Sequence, residues 1–325
     1  MEKINQLLDQ SRIIFGKNIS LRKALFVVLI LLCASTYVSP PFALFLGILT
    51  AQTIGHPYLQ FNHKITHYLL QISVVGLGFG MNVHTALQAG KSGFLFTVFS
   101  IFGVLIAGYI VGKILKITKE TSFLISVGTA ICGGSAIAAV SPVINAKEKQ
   151  ISVALGTIFI LNSIALILFP IIGHMLHFSQ SQFGLWCAIA IQDTSSVVGA
   201  ASKYGNEALQ IATTVKLTRA LWIIPIAFFS SLIFKSKEAK VKIPYFIGLF
   251  VVAIVLNTYI PFFQKIGGSL VNISKIGMTV TLFLIGAGLS KKVLATVGFK
   301  PILQGIILWI LIAVPAAIAV FYYSS

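Results

Sequence analysis

Acidic residues are scarce in this sequence. Seven Asp and Glu stand against 24 Lys and Arg in 325 residues, and charged residues together make up 10% of the chain. A water-soluble domain carries about 25%, so this chain cannot dress a soluble surface of ordinary size. Thiols are few as well. Cys33, Cys132 and Cys187 lie scattered in apolar runs, with neither a CxxC pair nor a Cys/His spacing. That pattern suggests neither a disulfide framework nor a metal site. No Gly-x-x-x-x-Gly-Lys-Ser/Thr loop occurs, so nucleotide hydrolysis is not expected, and there is no HExxH. The basic residues sit in short gaps between apolar runs rather than along one face or arm, so the net charge of +17 does not point to nucleic acid.

What is abundant is apolar surface, at 57% of residues. Runs long enough to cross a bilayer recur from Leu25 to Tyr323, and no polar stretch between them could form a second core. The expected fold is all-α and polytopic, a single membrane domain over 1–325 with about eleven transmembrane helices. They are placed at 24–38, 41–56, 67–88, 93–115, 121–144, 151–175, 183–202, 208–234, 243–260, 268–289 and 302–323. Residues 1–23 read as an N-terminal tail and 24–38 as an extra first helix retained rather than cleaved as a signal. Residues 41–175 form the first half and 183–323 the second.

With successive gaps on alternating sides, one side collects the basic residues from Lys3 to Lys23, Lys64, those from Lys113 to Lys119, those from Lys235 to Lys242, and Lys291, Lys292 and Lys300. The other receives Lys91, Lys147, Lys149, Lys203 and Lys265. The positive-inside rule then puts the N-terminus in the cytoplasm and the C-terminus outside, in a multi-pass protein of the cell inner (plasma) membrane.

Two internal echoes are present. Pro40 to Val111 and Ile243 to Val320 share a layout, with Ile72-Ser73 matching Ile273-Ser274 and Gly80 matching Gly288. These units lie an odd number of spans apart, the arrangement of an inverted repeat. At an offset of 60, Ala130-Ile131, Ser135 and Gln150-Ile151 match Ala190-Ile191, Ser195 and Gln210-Ile211. That echo implies a direct repeat unless a segment is re-entrant, and the residues alone do not choose between the two symmetries.

Six of the seven acids fall in tails or loops, and Asp193 alone lies mid-span. A charge at that depth costs about 2.5 to 3.5 kcal/mol on insertion scales. The following span offers Lys216 and Arg219, three residues apart and so on one helix face. One carboxylate facing two cations either glues helices together or leaves a positive surplus that binds an anion, and the second cation favours the anion site. The run Gly128-Thr129-Ala130-Ile131-Cys132-Gly133-Gly134-Ser135 places paired glycines in mid-span, where a break would free backbone amides for a ligand. The candidate substrate-binding residues are Gly133, Gly134, Ser135, Asp193, Thr194, Ser195, Lys216 and Arg219. Asn82 and His84 read as interfacial, and Asn162 as bonding a neighbouring helix.

Gly128 to Ala138, Phe183 to Trp186, Ile191-Gln192-Asp193 and Ile211 to Arg219, in this order and spacing, resemble the YeiH-like sulfate exporter family of bacterial membrane proteins. The resemblance covers about 40 to 320. It implies kinship with cation/proton antiporters and bile-acid symporters, and hence inverted repeats with discontinuous helices, pairing spans two to six with seven to eleven. Asp193, Lys216 and Arg219 match the family pattern. Gln192 stands where many relatives have His, and Gly80-Met81-Asn82 and Gly288-Leu289-Ser290 stand where they have Gly-Leu-Arg.

The leading expectation is therefore a secondary transporter that exports a small anion such as sulfate, sulfite or an organosulfonate by alternating access. Its expected partners are the lipid bilayer, the anionic solute, a coupling proton or sodium ion, and a second copy in a homodimer; no cofactor or metal is expected. The alternatives are a proton- or sodium-coupled carrier of another solute with Asp193 as its cation site, and a passive anion channel. One membrane acid without a mid-membrane histidine argues against an enzyme.

Overall fold

The structure, a computed structural model, describes residues 11–14, 17–35, 37–234, 245–289 and 297–323. Lys3, Lys235, Lys237, Lys240, Lys242, Ser290, Lys291 and Lys292 lie outside the described residues. Two four-residue strands, β1 (Ser11–Ile14) and β2 (Lys17–Ser20), pair antiparallel with Ser11 opposite Ser20. All further described elements are helical. In chain order they are α1 (Leu21–Cys33), α2 (Pro40–Thr53), α3 (Leu59–Leu77), a 3₁₀ turn (Gly78–Gly80), α4 (Val83–Ile114), α5 (Lys119–Ala130) and α6 (Gly134–Val140). They continue with α7 (Glu148–Met175), α8 (Gln180–Ala190), α9 (Thr194–Tyr204), α10 (Asn206–Ala220), α11 (Ile223–Ile233), α12 (Tyr245–Tyr259), α13 (Pro261–Gly288) and α14 (Phe299–Tyr323).

Local chemistry sets many of these boundaries. Proline at the first turn starts α2 and α13, where a missing N–H costs nothing. Asn82 caps α4, its Oδ1 accepting from the His84 amide at 2.8 Å, and a Ser179/Gln182 capping box starts α8. Five helical stretches are long and apolar enough to cross a membrane: Val83–Ile114, Glu148–Met175, Asn206–Ile233, Pro261–Gly288 and Phe299–Tyr322. Their outer faces stay apolar, Phe99 and Ile106 on α4 being 76% and 62% exposed, which suits hydrocarbon rather than water.

The helices pack as two groups. α1, α2, α3, α12 and α13 form one, and α4 to α11 with α14 form the other. In the first, α2 and α13 touch backbone to backbone, because a Cβ on Gly47 would meet the Phe283 carbonyl and one on Gly286 the Leu44 carbonyl. Across α3 and α13 the contact is reciprocal: a Cβ on Gly76 would strike Ser274 Oγ, and one on Gly277 would strike Ser73 Oγ.

The second group departs from the sequence expectation. The runs at 121–144 and 183–202, expected to be spans, each fold back on themselves. Gln150 Nε2, at the start of α7, donates to Glu120 Oε2, at the start of α5, at 3.0 Å, so the α5–α6 segment returns to where it entered. At the base of α8–α9, Gln180 Oε1 accepts from the Glu207 amide at 3.1 Å, Tyr204 OH donates to the Phe178 carbonyl at 2.6 Å, and the Tyr204 and Phe183 rings stack at 3.8 Å. The physical reason is arm length. α8 and α9 have 11 residues each, about 16 Å of helix, half of a hydrocarbon core about 30 Å thick. The echo at an offset of 60 falls on the two turns: Ala130 and Ala190 end α5 and α8, and Ile131 and Ile191 follow as C-caps.

Candidate functional site

The two hairpin tips meet. Gly133, between α5 and α6, has φ +63° and ψ −123°, a conformation that favours glycine. A Cβ there would also lie 3.2 Å from Asp193 Cα, so the glycine allows the tips to touch. Four half-helix ends converge at this point. α5 and α8 arrive with unpaired carbonyls and partial negative charge, while α6 and α9 depart with unpaired amides and partial positive charge.

Three of these ends receive a formal charge of opposite sign. Arg219, on α10, donates through Nη2 to the Ala130 carbonyl at the end of α5, and through Nη1 to Ser100 Oγ on α4 at 2.8 Å. Lys216, one turn earlier, donates to the Ile191 carbonyl at 2.7 Å and the Ala188 carbonyl at 3.4 Å, at the end of α8. Asp193 caps α9, accepting from the Ser195 amide at 3.1 Å, the Ser196 amide at 3.4 Å and the Ser195 hydroxyl. The fourth end, the amides of α6 at Gly133, has no side-chain cap. Lys216 and Arg219 are 0% exposed and Asp193 6%, so water does not screen these charges.

The structure thus brings all eight candidate residues to one junction, with Gly134 and Ser135 half-buried and Thr194 and Ser195 buried at the first turn of α9. It also bears on the alternative in which the acid glues two helices together. Among the described residues, no ion pair links Asp193 to Lys216 or Arg219; each takes broken-helix backbone as its partner. Two cations three residues apart reach two different tips, because the tips themselves are in contact.

Other residues at the junction carried little signal in the sequence. Asn162 Oδ1, on α7, accepts from the amides of Gln192 at 3.1 Å and Asp193 at 3.2 Å, holding the second break open. Gln192 Nε2 donates to Thr129 Oγ1 at 3.2 Å and ties tip to tip. A serine in an apolar helix, such as Ser100, gives no hint that it will hold an arginine. Among the described residues, three polar atoms here are buried without a partner: Asn162 Nδ2, Gln192 Oε1 and Arg219 Nε. A chamber of about 520 Å³ lies apart from the junction, between α4, α10 and α12, and its lining is mostly apolar.

Comparison with known proteins bears on this fold. Residues 21–305 match the family described as Conserved hypothetical protein 698. The chain is 56% identical over 291 residues to a UPF0324 membrane protein of Bacteroides thetaiotaomicron, covering 89% of this chain and 88% of that one. It is 52% identical over 284 residues to a UPF0324 membrane protein of Porphyromonas gingivalis, covering 86% of each. A Bdellovibrio bacteriovorus UPF0324 membrane protein is 49% identical over 297 residues, 90% of this chain and 91% of its own length. No solved structure matches the chain.

Proposed function

This chain belongs to the Conserved hypothetical protein 698 family, whose relatives are UPF0324 membrane proteins, and from that premise we propose that it is a secondary transporter of a small anion. The observation that carries the proposal is the dry junction of two hairpin tips, which holds two cations and one acid. Asp193 offsets the charge of one of the two cations, so one positive charge is left for a ligand. Isolated buried charge is costly, and a site that binds and releases an anion gives that cost a use. The ligand would lie between the tips, beside Arg219, Lys216 and the backbone of Gly133 to Ser135. Sulfate, sulfite and organosulfonates are the first candidates.

In this reading the chain crosses the membrane nine times, through α1, α2, α3, α4, α7, the bent α10–α11 rod, α12, α13 and α14, and two hairpins enter from opposite faces. Lys147 and Lys149 then join the basic N-terminal side, leaving Lys91, Lys203 and Lys265 opposite, a sharper positive-inside bias than eleven crossings give. Losing two crossings leaves both termini where they were, the N-terminus cytoplasmic and the C-terminus outside. The reciprocal Ser73/Gly277 and Gly76/Ser274 contact supports a two-fold relation between α3 and α13. The matched tips support an inverted relation between the hairpins.

The test is flux of these oxyanions in proteoliposomes, with and without a pH gradient. The expected result is saturable flux stimulated by counter-substrate, lost in Arg219→Met and partly kept in Arg219→Lys. Undiminished flux through folded Arg219→Met would remove the junction from the transport path. Non-saturating flux without counter-stimulation would make the protein a channel.

A further inference from the structure

The unpaired atoms at the junction restrict the chemistry of its ligand. Asn162, Gln192 and Arg219 are 3%, 1% and 0% exposed, so bulk water does not satisfy Asn162 Nδ2, Gln192 Oε1 or Arg219 Nε. Their shared partners place them together: Gln192 bonds Thr129, Arg219 bonds the next residue, Ala130, and Asn162 bonds the Gln192 amide. Two of the three are donors and one is an acceptor. A buried polar group left unpaired costs about 1 to 3 kcal/mol, so three on neighbouring residues of one junction are groups that a bound ligand would satisfy.

From this set we infer that the transported anion is a singly charged oxyanion that still carries one O–H group, the hydrogen form of a small oxyacid, in preference to a fully deprotonated dianion. The inference rests on the anion-site reading above and goes beyond it in two respects. First, two cations and one carboxylate leave one positive charge, which balances a monoanion and leaves a dianion with a net negative charge in a dry interior. Second, Gln192 Oε1 can only accept. A dianion such as sulfate has no proton to offer it and would set two acceptors against each other, whereas a hydroxyl on the ligand donates to Oε1 while its remaining oxygens take the N–H groups of Asn162 and Arg219. Sites built to hydrogen-bond a ligand hydroxyl reject analogues without one, because their own polar group is then left unpaired.

The test is binding to the purified full-length protein, followed by ligand-induced thermal stabilisation across pH with sulfite, phosphite, selenite and sulfate as probes. The first three exchange a monoanion with an O–H for a dianion without one within the accessible range, phosphite at the lowest pH, sulfite near neutrality and selenite at the highest, while sulfate stays a dianion throughout. Binding should strengthen as pH falls through each probe's own dissociation, at a pH that moves from probe to probe, with sulfate weak at every pH. Gln192→Leu should weaken the O–H forms about tenfold, the loss expected for one hydrogen bond to a charged ligand, and should narrow the gap to sulfate. If Gln192→Leu does not fold, the probe-dependent pH midpoints in the unaltered protein decide alone. Sulfate binding as tightly as hydrogensulfite, or one common midpoint for all probes, overturns the inference while leaving an anion site standing. Binding of none of the four would contradict the anion site as well.

Discussion

At the scale of single residues, the junction answers a problem of backbone electrostatics. Breaking two helices in a membrane strands carbonyls and amides where no water can reach them, and each stranded group costs several kcal/mol. Arg219, Lys216 and Asp193 meet three of the four ends with charges of opposite sign. Because Asp193 works through the amides of Ser195 and Ser196, an amide side chain can do the same capping. Asp193→Asn is therefore expected to unfold within a few tenths of a kcal/mol of the parent, and Asp193→Ala to lose roughly 0.5 to 2 kcal/mol. Thermal unfolding of the purified variants checks the order. Equal loss in both would mean that charge, not capping, holds the tip. The triad was legible in the sequence because one acid among apolar neighbours stands out. Its partners were not, since backbone atoms leave no mark in a sequence.

At the scale of elements, the two hairpins differ in how far the sequence announces them. The first tip is signalled by Gly133-Gly134, and a break near those residues is what the fold contains. The second tip, Ile191-Gln192-Asp193, has neither glycine nor proline and is held open from outside by Asn162, so only its acid marked it. The fold-back was hidden in both, because two apolar arms of half-membrane length add up to the length of one span. A cross-link tests it directly. With the native thiols replaced, Glu120→Cys and Gln150→Cys should be joined by a short bis-maleimide in native membranes, since their parent side chains meet tip to tip at 3.0 Å. Failure to cross-link, with both thiols shown to react singly, would place the ends of α5–α6 apart and restore a spanning helix there.

At the scale of the whole molecule, a helical chain from a family of membrane proteins brings two hairpin tips together at one charged junction. The bases of the two hairpins lie at opposite ends of α7, a helix of 28 residues with Glu148 at one end and Met175 at the other, and the proposed embedding sets those ends on opposite faces. A rod of that length spans about 42 Å, enough to cross the bilayer with some tilt. Composition alone gave the membrane, the helical class and the approximate place of each run. It could not give the number of crossings, because hydropathy counts apolar length and not direction. The deciding measurement is the sidedness of Glu148 and Lys203, both exposed and each at the base of one hairpin. In intact cells, on a cysteine-free background, a membrane-impermeant maleimide should label Lys203→Cys at once and Glu148→Cys only after permeabilisation. Labelling of both from outside would contradict opposed hairpins meeting at the charged junction.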